Sequence, residues 1–235
     1  MNAGQASTSS NGHVRQIVFD FDGVFTTQDS TQAWLTPHLR ARPLRLLQCL
    51  PWLVGFALSG RWQPVRTWFT RKLLNTACAG ERADLLLADL RRFGAEMAAD
   101  VESTLADAVA QIQAHRAHGD QVTIVSAGLE PLLAGWFAKK GLDVEIVASR
   151  LDPTDDNHVK LTEHCFAERK VERLNMLGLR SWDLVYTDSA HDLPLMRFAE
   201  KTVLVNPSSA THRLAKARTH SRILVVSWQA TPSAC

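Results

Sequence analysis

Residues 16–24 read QIVFDFDGV, and this stretch decides the fold. Residues 16–20 form a short apolar run ending in an acid, the pattern of a buried strand. In an extended chain residues two apart face the same way, so the Asp20 and Asp22 carboxylates project together. Gly23 lets the backbone turn tightly straight after them. Similar strings recur only much later, at residues 121–126 (QVTIVS), 144–147 (VEIV), 183–187 (DLVYT), 202–205 (TVLV) and 222–226 (RILVV). Helical patterns separate them, such as 131–140 (PLLAGWFAKK) closed by Gly141 and 168–177 (ERKVERLNML) closed by Gly178. Strands alternating with helices predict an α/β fold, a parallel sheet with helices on both faces.

Between the first two strands lie about a hundred residues with almost no strand signal. Helical periodicity dominates there, for instance at 83–93 (ADLLLADLRRF) and 99–115. The expected organisation is a disordered tail at 1–14, an α/β core from 15–28 and 111–235, and an inserted helical cap at 29–110. A chain of 235 residues can hold a large core with such an insertion. The 46% hydrophobic content excludes wholesale disorder, and 12 Gly with 9 Pro exclude a fibrous protein. Cys49, Cys78, Cys165 and Cys235 lie far apart with no C-x-x-C pair, which suits a reducing compartment. Residues 1–12 lack the basic start and apolar run of a secretory signal, so a cytoplasmic location is expected. The longest apolar run, 44–58 (LRLLQCLPWLVGFAL), contains Arg45, Gln48 and Pro51 and is too short to span a membrane.

In open parallel sheets the ligand sits beyond the carboxyl ends of the strands. The first strand delivers Asp20 and Asp22 there. The second delivers Ser126-Ala127-Gly128, a hydroxyl and small residues whose backbone N–H groups can approach an anion at a helix start. Lys170 sits in the first turn of a later helix, and the fourth strand ends in Asp188 and Asp192. Singly, Ser126 reads as a helix cap, Lys170 as a solvated helix residue and Asp188 as a cap. Four such elements at strand exits, in one order, point instead to phosphoryl transfer. A carboxylate serves as nucleophile, a second group protonates the leaving oxygen, and positive charge neutralises the phosphoryl oxygens. Two clusters of negative charge require a hard, oxygen-seeking cation between them, which suits Mg²⁺.

DFDGV, IVSAG, the lysine of CFAERKVERL and YTDSAHDLPLM together resemble the four ordered motifs of the haloacid dehalogenase-like hydrolase superfamily. The likeness is to its phosphoserine-phosphatase-like branch (subfamily IB), which carries a helical cap after the first motif. It implies a Rossmann-like core and a Mg²⁺-dependent phosphatase acting on a phosphomonoester through an aspartyl-phosphate. Asp20 would be the nucleophile. Asp22 would be general acid and base, and its backbone carbonyl would face Mg²⁺. Ser126, Ala127 and Lys170 would hold the phosphoryl group, Asp188 would bind Mg²⁺, and Asp192 would support the metal directly or through water. The mechanism has no use for His191, which reads as a helix-start residue. Phosphoserine phosphatases carry a Glu nine residues after the nucleophile to read the serine ammonium; here that position is Asp29, one methylene shorter, a departure that bears on substrate selectivity.

From residue 30 to 80 there is no Asp or Glu, while Arg40, Arg42, Arg45, Arg61, Arg66, Arg71 and Lys72 lie in the same stretch with Trp34, Trp52, Trp62 and Trp68. An apolar, hairpin-like stretch flanked by Arg and Trp is the composition of an interfacial membrane element; the plainer reading is a buried cap helix with solvated arginines. The cap more loosely resembles that of phosphatidylglycerophosphate phosphatases, which have an Arg-flanked apolar stretch and an Asp matching Asp29. The expected partner is thus a small phosphorylated substrate or an anionic phospholipid, the latter with peripheral contact at the inner face of a membrane. A non-catalytic phosphate-binding regulatory module is the alternative of a different class. Nucleic acid is not expected, because the basic residues are interleaved with Trp and Leu.

Overall fold

The computed structural model describes residues 14–60, 62–154 and 156–230. The tail expected at 1–14 therefore lies outside the described residues except for Val14, as do Arg61 and Cys235. In β1 (Gln16–Phe19), Ile17 and Phe19 enter one hydrophobic cluster and Val18 the other. Burial on both faces is the condition of a central parallel strand. The insertion follows as α1 (Ser30–Arg40), α2 (Pro43–Leu58), α3 (Gln63–Ala77), α4 (Ala83–Ala99) and α5 (Ala106–Ala117). The core resumes with β2 (Gln121–Leu129), α6 (Glu130–Lys139), β3 (Glu145–Pro153), β4 (Val159–Glu163), α7 (Glu168–Met176) and β5 (Trp182–Thr187). A 3-10 turn (Ala190–Asp192), α8 (Leu193–Arg197), β6 (Ala199–Val205), α9 (Ser209–Arg218) and β7 (Arg222–Val226) complete it.

The sheet order is β4-β3-β2-β1-β5-β6-β7, parallel throughout except for β3 with β4. β1 lies between β2 and β5, at the point where the strand order reverses, so Asp20 and Asp22 emerge at the crevice such sheets use for ligands. The antiparallel β4 was not anticipated. Its VKLTE buries Val159 and Leu161 and exposes Lys160, a half-buried edge strand. β3 also runs on through the polar Ser149, whose hydroxyl finds the Ala127 carbonyl at 2.7 Å.

The helical pattern expected over 99–115 is two helices. The Asp100 carboxylate accepts from the Glu102 N–H (3.0 Å), and the Thr104 hydroxyl donates to the Asp100 carbonyl (2.7 Å), so side chains compete successfully with the helix. The expected boundary between 110 and 111 falls inside α5. α4 is fastened to the core: a Cβ added at Gly94 would lie 1.9 Å from the Leu132 carbonyl oxygen, and one at Gly135 would lie 2.0 Å from that of Arg91. The elements that roof the crevice are therefore α1 to α3. Residues 44–58 are neither a hairpin nor a buried helix. They form a single helix through Pro51 in which only Cys49 is buried. α3 closes on its inner side, where Gly55 leaves room for the Phe69 ring. Among the described residues no helix is long and apolar enough to cross a membrane.

Candidate active site

Asp20 ends β1 with its N–H bonded to the Tyr186 carbonyl of β5 (2.9 Å), which fixes the backbone where the carboxylate begins. Its Oδ1 accepts from the Phe21 N–H (2.8 Å) and lies 3.0 Å from Lys170 Nζ. Lys170, in the first turn of α7, is itself 2.7 Å from Asp192 Oδ1. Thr187 donates to Asp192 Oδ2 (2.7 Å), so both Asp192 oxygens are engaged. Asp192 thus orients Lys170.

The turn after Asp22 brings the fourth motif against the first. Gly23 has φ +76°, and a Cβ there would lie 2.3 Å from the Asp188 carboxylate. Only glycine permits both the turn and this approach. Asp22 faces the cap: its Oδ1 accepts from the Ser30 N–H (2.9 Å) at the start of α1. Asp29 caps the same helix, accepting from Gln32 N–H (2.8 Å). The helix that opens the cap therefore begins against the loop that carries Asp22.

Around a cavity of about 300 Å³ stand Asp20, Asp22, Asp29, Ala127, Lys170, Asp188 and Asp192. Ser126 is placed differently. It is fully buried, its Oγ accepting from the Gly128 N–H (3.0 Å). β2 runs on to Leu129 and α6 begins only at Glu130, so the helix start expected beside Ser126 lies farther along the chain.

Burial pushes the Asp20 carboxyl well above the usual range, and the Asp192 charge adds to this while Lys170 opposes it. Burial raises Asp22 to about 7, with Asp29 contributing. Burial and then Asp192 raise Asp188 to about 6. Burial disfavours charge on Lys170, but Asp192 and Asp20 outweigh it and hold the ammonium protonated. For Asp192 burial is overcome by the ammonium and the hydrogen bonds it accepts, so it stays ionised. Four carboxyl groups thus share one buried ammonium, an imbalance that a divalent cation would relieve.

The donor set suits Mg²⁺. The Gly23 turn leaves the Asp188 carboxylate beside the loop carrying Asp20 and the Asp22 carbonyl, in a space a Cβ would fill. No group of three His, Cys, Asp or Glu side chains among the described residues would hold a metal by itself. Two carboxylates, a backbone carbonyl and water would.

Residues 17–197 match the haloacid dehalogenase-like hydrolase family. The chain belongs to this family. The hydrolase is 27% identical over 210 residues to the protein CicA of Caulobacter vibrioides, covering 86% of this chain and 90% of that one. Its fold is similar to that of a phosphoserine phosphohydrolase-like protein from Francisella tularensis (TM-score 0.60, 16% identity, 90% of this chain and 95% of that one). It is also similar to cytosolic 5'-nucleotidase IIIB bound to cytidine (TM-score 0.66, 12% identity, 91% and 80%).

Several residues of the hydrolase's site were not singled out in the sequence. Thr187, which seats Asp192, immediately precedes Asp188, and a hydroxyl beside a strand-end acid was the available signal. Phe166 and His164 stack in a loop without periodicity, and Phe166 meets His191 at 5.2 Å between ring centroids. His191 in turn pairs with Gln63 of α3 (3.0 Å), a core-to-cap contact across the crevice. A second cavity of about 670 Å³ adjoins the first, sharing Asp22, Asp29, Ala127, Phe166 and His191 with it and walled otherwise by α1, α2 and α3 together with Gly128 and His164.

Proposed function

We propose that this hydrolase is a Mg²⁺-dependent phosphatase that passes the phosphoryl group of a phosphomonoester to Asp20 and then to water. The observation that carries the reading is the setting of Asp20. Its Oδ1 is held by the Phe21 N–H and the Lys170 ammonium, which leaves Oδ2 to attack phosphorus. As the P–O(ester) bond breaks, Asp22 gives its proton to the leaving oxygen. Burial that keeps Asp22 protonated near neutrality favours this role, and a module that only bound phosphate would have no use for it. Asp22 then takes a proton from water as its oxygen attacks phosphorus, releasing inorganic phosphate and restoring Asp20. The Lys170 ammonium and the backbone around Ala127 neutralise the phosphoryl oxygens, with Ser126 stiffening that wall. Asp20, Asp188 and the Asp22 carbonyl would hold Mg²⁺, with Asp192 acting through water. When bound, the ion supplies charge neutralisation to the phosphoryl oxygens.

A panel of phosphomonoesters assayed with Mg²⁺ tests the reading. At least one should turn over, and Asp20→Asn should retain below roughly one per cent of that rate while melting as a folded protein. Turnover surviving in Asp20→Asn, or no hydrolysis of any phosphomonoester, would refute it.

A further inference from the structure

Helix α2 is apolar on every side. Its inner residues Leu46, Leu53 and Phe56 wall the larger cavity. On its outer side Leu44, Leu47, Leu50, Val54 and Leu58 are 77%, 61%, 44%, 56% and 81% exposed. Their three- and four-residue spacing sets them on one helix face, and the segment 43–58 has no polar side chains but Arg45 and Gln48. A helix hydrophobic all round is normally buried. Here half its circumference meets solvent, while Trp62, just before α3, is 70% exposed and Trp68, edge-on against Trp52 of α2, is 48% exposed. An exposed apolar helix face of this kind marks a surface that something covers.

Charge identifies the cover. The stretch from residue 30 to 80 carries seven basic residues and no acid. Arg45 lies in the first turn of α2, which contains no acidic residue, and Arg40 closes α1 just before it, while Arg42 between them is paired with Glu81 (3.0 Å). The Arg45 charge opposes the α2 dipole, an arrangement that an external anion would relieve. A second copy seated face to face would set two such basic stretches against each other. An apolar strip, a basic flank and tryptophans at its edge match an anionic lipid surface.

We propose that α2 docks the hydrolase on an anionic bilayer, lying in the plane of the interface, and that the cavity beneath it receives the apolar part of a membrane-borne phosphomonoester. The cavity fits that substrate class. Leu35, Leu39, Leu46, Leu53, Leu73 and Leu74 line it, Arg40 and Arg66 stand among them, and it opens into the catalytic cavity at Asp22 and Ala127. The substrate half of the inference rests on the phosphatase reading; the docking half does not.

Sedimentation of the full chain with vesicles tests the docking. It should bind vesicles containing phosphatidylglycerol but not those of phosphatidylcholine alone. Binding should weaken strongly from low to high salt, with each basic residue at the surface worth about fivefold. Leu47→Gln, Leu50→Gln and Val54→Gln, all outside the cavity lining, should each weaken binding on the order of tenfold. The triple variant should hydrolyse nitrophenyl phosphate at the wild-type rate but release less phosphate than wild type from phosphatidic acid in those vesicles. No binding to anionic vesicles at low salt, unchanged binding by the triple variant, or a solution dimer that the triple variant dissociates would overturn the docking. Hydrolysis of nitrophenyl phosphate with none of phosphatidic acid would overturn the substrate half. Binding without hydrolysis of any ester would overturn the phosphatase reading and leave the docking standing.

Discussion

Asp22→Asn should make the metal-free protein more stable at pH 8 while removing its general acid. Burial raises the Asp22 carboxyl from 3.8 to about 7. Below pH 4 the folded and unfolded chains both hold this proton, and the group costs nothing. As pH rises from 4 to 7 the unfolded chain loses the proton while the folded chain keeps it, so stability falls with rising pH. Above pH 7 the full cost is reached, at most about 4 kcal/mol at 1.36 kcal/mol per pH unit. Asparagine keeps an oxygen to accept from the Ser30 N–H and has no charge to bury. With relaxation around the site, a gain of about 2–4 kcal/mol is expected, raising Tm by roughly 5–15 °C in a chain of this size. Thermal melts in chelator at pH 8 and pH 4 measure it: the variant should melt higher at pH 8 and together with wild type at pH 4. Mg²⁺ should raise the wild-type Tm at pH 8. Coincident melts at pH 8, or a less stable variant, would refute the reasoning.

With turnover established, Asp22→Asn should slow esters with poor leaving groups far more than nitrophenyl phosphate, whose leaving oxygen needs little protonation; equal losses would remove Asp22 from the proton transfer. Asp188→Asn should raise the Mg²⁺ concentration needed for half-maximal rate by tenfold or more, and Ca²⁺, which takes more and looser oxygen ligands, should substitute poorly; a titration with each ion reads this. Gly23→Ala should both lower stability by more than about 1 kcal/mol and raise the Mg²⁺ concentration needed for half-maximal rate, because its φ of +76° disfavours a Cβ that would also displace the Asp188 carboxylate. An unchanged Tm in Gly23→Ala would show that the turn is not held as described.

The acid pairs were legible because strand ends announce themselves: an apolar run stops, and the next residues stand at the rim of the sheet. Asp20, Asp22 and Asp188 needed no more than that. The hydrogen bonds of Asp192 were not legible, since its engagement by Lys170 and Thr187 joins residues from separate elements. Nor was the full burial of Ser126, whose hydroxyl accepts from the Gly128 N–H where the register between β2 and β3 shifts. Strand β4 escaped notice because VKLTE is short and only two of its residues are buried. The apolar content of residues 44–58 was plain in the sequence. Which half of that helix faces outward depends on where α3 and the cavity lie, and composition carries no record of that.

The account stands or falls on Asp20 carrying the phosphoryl group. Acid quenching during turnover of a labelled phosphomonoester, followed by mass spectrometric mapping, reads this directly. The account predicts an acid-stable, base-labile phosphoryl group on the peptide containing Asp20, absent from Asp20→Asn. A phosphoryl group on another residue, or its persistence in Asp20→Asn, would contradict it.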